Sequence, residues 1–268
     1  MTLRVAVAGA AGRMGRTVIA AVHGDPETEL VAAADVAAIG ADAGELAGVG
    51  PLQIPVRDDL AAALLDSRAD ALVDFTRADA AHANALAALD AGVSPVIGTT
   101  GMSAEQVEEI GARAAERGVG AFLAPNFALG AVLMMVFARQ AARFFPEVEI
   151  IELHHERKVD APSGTALRTA QLILENRGER TVARPSAEDF KLAGARGGEL
   201  DGIRIHSVRL PGHVAHQEVI FGGLGQTLTI RHDSIDRSSF MPGVLLACKR
   251  VRSQSGLVVG LENLLDMD

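Results

Sequence analysis

The stretch that most constrains this chain lies at its start, where the apolar run LRVAVAG (3–9) passes without a break into AAGRMG and then RTVIAAV. A buried strand feeding a glycine turn and an apolar helix opens a βαβ unit. Glycine there permits a tight turn, close backbone approach to a pyrophosphate and close packing of helix on strand. The spacing through Gly9, Gly12 and Gly15 is G-x-x-G-x-x-G instead of G-x-G-x-x-G, so by itself it is a weak dinucleotide signal. Asp35 strengthens it. This acid closes the next strand-like run, LVAAAD (30–35), about 20 residues past the last loop glycine, where a ribose-binding carboxylate is expected. A carboxylate there accepts from an adenosine ribose and repels a 2′-phosphate, which favours NADH. Val36 offers no cation to offset the repulsion, whereas Arg13 inside the loop supplies one and keeps NADPH as an alternative.

The first half repeats the alternation. Strand-like runs ALVDF (71–75), SPVIGTT (94–100) and GAFLAPN (120–126) are spaced by helical stretches near 58–66, 79–90 and 104–117, after a first helix at 13–23. Short Val/Ile/Ala runs between helices predict an α/β fold, a Rossmann-like doubly wound parallel sheet. Ligands of such sheets sit beyond the strand ends, and these ends carry Gly9, Asp35, Phe75-Thr76, Gly98-Thr99-Thr100 and Asn126. After Asn126 the texture changes. A helical run (130–145) leads into the strand VEIIELHH and a helix from about Thr165 to Arg177, with Gly178 placed as its cap. IRIHSVRL, HQEVIFG and QTLTIRH then alternate in polarity, so the second domain is expected to be α+β with a largely antiparallel or mixed sheet. The Gly- and charge-rich segment 184–201 reads as a loop. A helix in SFMPGVLLACKRV and the run GLVVGLENLL read as the chain returning to the first domain, which divides it as 1–127, 128–236 and a return segment 237–268.

Composition removes whole classes of function. With a net charge of -9 and neither Trp nor Tyr, the chain lacks the basic surface and stacking platforms of nucleic-acid binders. No uninterrupted apolar run reaches the roughly 18 to 20 residues of a membrane span, and MTLRVAVAGA has no signal-peptide pattern. The single Cys248 excludes an intramolecular disulfide and fits a reducing, cytoplasmic compartment; within VLLACKRV it reads as a core residue. His206, His213, His216 and His232 lie without cysteines or clustered carboxylates at ligand spacing, so no metal is expected.

Residues 151–167, IELHHERKVDAPSGTAL, stand out against this acidic background: two histidines, an arginine, a lysine and an aspartate precede Pro-Ser-Gly-Thr at a helix start. A helix N-terminus presents unpaired N–H groups and the positive end of its dipole, which suits a carboxylate or phosphate. Ser163 is placed to cap the helix, leaving the Gly164 and Thr165 amides to an anion. His154 and His155 are neighbours on a strand and point to opposite faces, so one of them faces any given reacting atom. The cluster suits a small carboxylated substrate. An isolated His-His pair is more often a solvated basic loop, and it is the glycine turn upstream that favours catalysis. Another Rossmann oxidoreductase of a small amino-acid precursor, or a dinucleotide sensor without turnover, fits the glycine turn and Asp35 as well.

GAAGRMG, DFTRADA, VIGTTG, APNFALGAVL and above all ELHHERKVDAPSGTAL resemble the 4-hydroxy-tetrahydrodipicolinate reductase (dihydrodipicolinate reductase) family over essentially the whole chain. The resemblance implies NAD(P)H-dependent reduction of a small cyclic dicarboxylate in diaminopimelate and lysine biosynthesis. It implies that Gly9, Ala10, Ala11, Gly12, Arg13 and Met14 wrap the pyrophosphate, with Asp35 on the ribose. Phe75, Thr76 and Arg77, with Gly98, Thr99, Thr100, Ala124, Pro125, Asn126 and Phe127, would flank the nicotinamide half. His154 is then the candidate proton donor or acceptor and Lys158 the second acid, while His155, Lys158, Ser163, Gly164 and Thr165 hold the substrate's carboxylates. Many relatives carry arginine where this chain has Val36, so NADH is the expected cofactor and NADPH the lesser one. Family members are typically tetramers built through the second domain's sheet, so a homotetramer is expected.

Overall fold

In the computed structural model, which describes residues 2–178, 189 and 191–265, the early alternation becomes a run of strands and helices. These are β1 (Leu3–Ala8), α1 (Arg13–Gly24), β2 (Thr28–Ala34), α2 (Ala43–Ala47), β3 (Val56–Arg57), α3 (Leu60–Ser67), β4 (Ala71–Asp74), α4 (Ala78–Asp90), β5 (Ser94–Ile97), α5 (Ala104–Arg117) and β6 (Gly120–Leu123). The second half supplies α6 (Leu129–Ala141), β7 (Glu147–His154), α7 (Gly164–Asn176), β8 (Gly198–Leu200), β9 (Ile203–Arg209), β10 (Ala215–Gly223), β11 (Gln226–Ser234), α8 (Met241–Val251) and β12 (Gly256–Val259). Two compact units result, Met1–Phe127 with Arg237–Asp268, and Ala128–Asp236. No helix among the described residues is long and apolar enough to cross a membrane.

The first unit is built on a seven-stranded sheet in the order β12-β6-β5-β4-β1-β2-β3, all pairs parallel. Its central strands are buried on both faces, which is why VAVA (5–8) and ALV (71–73) are continuous apolar runs and not alternating ones. Val5, Val7, Leu72, Val73 and Val96 are wholly enclosed. Helix α1 turns Val18, Ile19 and Val22 onto this sheet, and α5 is bounded by a Ser103–Gln106 capping box and by Gly118 in the left-handed region. Strand order reverses between β1 and β4, so the crevice of a doubly wound sheet opens where Gly9 and Phe75 leave those strands. Helix α8 packs on β4, β5, β6 and α1, with Cys248 enclosed in that contact and its thiol pushed up to about 12 by burial.

Helix α2 and strand β3 were not foreseen. They hang on one side chain: Asp42 accepts from the Gly44, Glu45, Leu52 and Ile54 amides, so a single carboxylate organises a segment with no hydrophobic period.

The second unit carries a five-stranded mixed sheet, β11-β10-β7-β9-β8, parallel only between β7 and β9. Helices α6 and α7 pack on one face, over Ile150, Ile205, Val219 and Phe221. Helix α6 stops at Ala141, short of the expected 145. Gly178 takes a φ of +70° just past α7, as the cap reading required. Of the expected loop 184–201, residues 184–188 and 190 lie outside the described residues, and its end is not loop: Gly198–Leu200 form β8 against β9. Asp201 and Gly202 turn that hairpin with φ of 44° and 90°, and this Asp-Gly pair was the available signal.

Candidate active site

The glycine turn is built without spare room. Gly9 leaves β1 with a φ of +79°, and a Cβ on it would come within 2.7 Å of the Phe75 carbonyl oxygen. A Cβ on Gly15 would collide with the Gly9 carbonyl, so α1 lies against the turn only because that residue is glycine. No side chain caps α1 at Gly12. Asp35 sits beside the turn, its carboxylate accepting from Ala11 N at 2.9 Å and Ala37 N at 3.0 Å. A cavity of about 330 Å³ follows, lined by Gly9, Gly12, Asp35, Phe75, Thr76 and Arg77, and also by Val36, Asp58 and Asn84. The structure thus brings together six residues assigned from sequence and adds a second acid, Asp58, that sequence reasoning missed.

The loops after β4 and β5 are fixed by Asp74, 1% exposed at the end of β4. It accepts from Thr76 N and Oγ1, from Thr99 Oγ1 at 2.8 Å and from Asn84 Nδ2 at 2.8 Å, so all four donors meet one buried carboxylate. Gly98 lets its backbone pass against the Phe75 ring, which in turn packs at a tilt of 58° on Phe127 with centroids 5.7 Å apart. Ala124 and Phe127 are buried, whereas Thr100 and Pro125 are exposed and Asn126 is half-buried. Arg77 pairs with Asp79 on the surface.

The second unit gathers the HHERKVDAPSGTAL residues around a buried acid. Glu152 and His154 share one face of β7 and meet at 2.5 Å through Nδ1. His155, on the other side, has a buried Nδ1 with no hydrogen-bond partner among the described residues. Lys158, 22% exposed, lies 2.8 and 2.9 Å from the two carboxylate oxygens of Asp160, whose carboxyl is held below its usual range first by that lysine. Ser163 Oγ caps α7 by accepting from Ala166 N, as expected. A Cβ on Gly164 would meet nothing within 4 Å, so the chain itself leaves open space at the start of this helix. Burial opposes charge on Glu152, yet hydrogen bonds from His154, Arg209 and Ser207 overcome it and hold its carboxyl at about 2. Sequence reasoning passed over both Glu152 and Arg209. The two-residue spacing from His154 was a signal for the first; nothing local signals the second, 57 residues away.

The fold and the glycine turn point to a class, the dinucleotide-dependent oxidoreductases. Models of the N- and C-terminal halves of dihydrodipicolinate reductase match residues 3–127 and 130–265. The 4-hydroxy-tetrahydrodipicolinate reductase of Moorella thermoacetica is 54% identical over 99% of this chain and 98% of its own length. That of Geobacillus kaustophilus is 53% identical over 99% and 100%. A dipicolinate-bound dihydrodipicolinate reductase from Paenisporosarcina sp. TG-14 superposes with a TM-score of 0.89 at 45% identity, covering 99% of this chain and 100% of that one. The chain belongs to the dihydrodipicolinate reductase family.

Proposed function

We propose that the protein reduces 4-hydroxy-tetrahydrodipicolinate to tetrahydrodipicolinate, in diaminopimelate and lysine biosynthesis, with NADH as preferred cofactor and NADPH as the lesser one. The observation that carries this reading is the pairing, in one chain, of a glycine turn a Cβ would fill with a cationic helix start that the chain leaves open. The residues fit a dinucleotide: the backbone from Gly9 to Met14 would hold the pyrophosphate, Asp35 the ribose, and the loops of Phe75–Arg77, Gly98–Thr100 and Ala124–Phe127 the nicotinamide half. Bound there, the reduced cofactor supplies a hydride.

The chain's own residues handle charge and the proton. His155, with its unpartnered buried nitrogen, Lys158, Ser163, Gly164 and Thr165 hold the two carboxylates, and this local positive charge offsets the cost of drawing a dianion out of water. His154 and Lys158 are the groups able to meet, with a proton, the negative charge that develops on the ring. Support for a homotetramer comes from apolar side chains left in water at the edge of the second sheet: Leu224 in the β10–β11 turn, Leu228 on β11 and Ile235 just past it. A cytoplasmic setting agrees with one buried, unbridged cysteine.

The test is an assay in which the substrate precursor is generated in situ and NADH and NADPH are compared side by side. Oxidation of NADH that depends on the precursor is expected; binding without consumption would favour a sensor instead. Asp35, Asp58 and the exposed Val36 together predict the cofactor bias, since two carboxylates border the cavity and no cation sits directly after the first. Val36→Arg should therefore raise kcat/KM for NADPH by about tenfold or more.

Gly164→Ala separates ligand from scaffold. Because a Cβ there touches no part of the chain, stability should hold or rise slightly, while KM for the dicarboxylate should rise by about tenfold as the methyl enters the anion's place. An unchanged KM would remove the α7 start from the substrate site.

A further inference from the structure

We infer that Glu152, joined to Arg209, is the positioning residue of this site: the pair fixes which nitrogen of His154 exchanges a proton and holds the Lys158 loop and the start of α7 in register. This rests on the reductase reading above and adds to it residues that reading does not use. Glu152 is 0% exposed. Its Oε2 lies 2.5 Å from His154 Nδ1 and accepts from Arg209 Nη1 at 2.8 Å; its Oε1 accepts from Arg209 Nη2 at 2.8 Å and from Ser163 N at 3.2 Å. With its carboxyl held at about 2, Glu152 is a carboxylate at neutral pH and has only lone pairs to offer. The proton between it and His154 therefore resides on Nδ1. Nε2 is left as the ring nitrogen that can take or give one, the same logic by which a buried acid fixes a catalytic imidazole elsewhere.

Arg209 extends the hold to the loop. Beyond its two bonds to Glu152, it donates from Nε to the Lys158 carbonyl at 3.2 Å and from Nη2 to the Asp160 carbonyl at 2.6 Å. One guanidinium thus ties the backbone on both sides of Val159, while Glu152 ties Ser163 at the first turn of α7. Imidazole, ammonium-bearing loop and helix start are referred to a single ion pair whose acid is buried. An isolated surface bridge would do nothing of the kind, because its partners could wander; here the acid is wholly enclosed, the guanidinium is 19% exposed and fixed by several bonds, and both oxygens of the acid are engaged.

Removing one member strands a buried charge and can unfold the unit, so single variants do not discriminate. The double variant Glu152→Met/Arg209→Leu does, since an apolar replacement of a buried pair is often tolerated. It should bind NADH as the unaltered protein does, yet lose about a hundredfold in kcat and bind the dicarboxylate more weakly. A direct readout needs no turnover: side-chain nitrogen NMR of histidine-labelled unaltered protein, titrated until His154 is neutral, should find the proton on Nδ1. In the double variant it should move predominantly to Nε2. Near-normal kcat in a folded double variant, or an Nε2-protonated neutral His154 in the unaltered protein, overturns the inference. The NMR result stands even if the double variant fails to fold. Absence of reductase activity in the unaltered protein would strike the reductase reading alone, because the tautomer is read without substrate.

Discussion

Replacing Lys158 by alanine should lower turnover by about a hundred- to a thousand-fold while changing NADH affinity less than about twofold. The asymmetry follows from where the side chain lies. Lys158 is in the second unit, close to Asp160, and takes no part in the glycine turn or in the Asp74 network. On the function proposed above, its loss would remove a proton source and a charge that meets a carboxylate, and would leave the glycine turn as it was. Asp160 also loses the ammonium that holds its carboxyl down, so the loop gains a net negative charge where the proposed substrate would place its carboxylate. Turnover is measured in the coupled assay. NADH binding is followed through the cofactor's own emission, which a chain without Trp does not obscure. Collapse of NADH affinity with turnover preserved at saturation would mean that the lysine serves the nucleotide half.

The second large effect is expected at Gly15. Alanine there would drive a methyl group into the Gly9 carbonyl, a backbone atom that cannot step aside as a flexible side chain would. Helix α1 must then lift from the turn, and the amides at its start would leave the place proposed for the pyrophosphate. NADH affinity should fall by about a hundredfold or more, with about 1–3 kcal/mol lost in stability from the forced shift. Gly24→Ala is the matched control, at the far end of the same helix where a Cβ meets nothing within 4 Å. It should bind NADH normally. Normal binding by a folded Gly15→Ala variant would show that the turn does not receive the dinucleotide.

What could be read from the sequence divides according to how far apart the interacting residues are. The glycine turn, the Ser163 cap and the Gly178 terminus are local devices, each contained within a few residues, and each was visible. The parallel sheet was visible because burial on both faces leaves unbroken apolar runs such as VAVA in β1. Asp74 and Glu152 were not read as organisers, since an acid inside a strand shows nothing of its partners. Thr99 lies 25 residues from Asp74 and Arg209 lies 57 from Glu152, and only strand pairing brings them together. The pairing of β7 with β9 sets His154 opposite Arg209, which turns a distant arginine into a neighbour of the histidine loop. Helix α2 and β3 escaped for a different reason: they are too short to carry a period and depend on the amides collected by Asp42.

The sheet that bears the glycine turn ends on β12, which pairs with β6 although more than a hundred residues of the second unit and its flanks separate them in the chain. During synthesis the first six strands leave the ribosome long before their outermost companion exists, and β6 must wait with one edge unsatisfied while the whole inserted unit is made. Order of emergence and order of completion are thus opposed: the inserted unit can close upon itself first, and the flanking unit, begun earlier, is finished last.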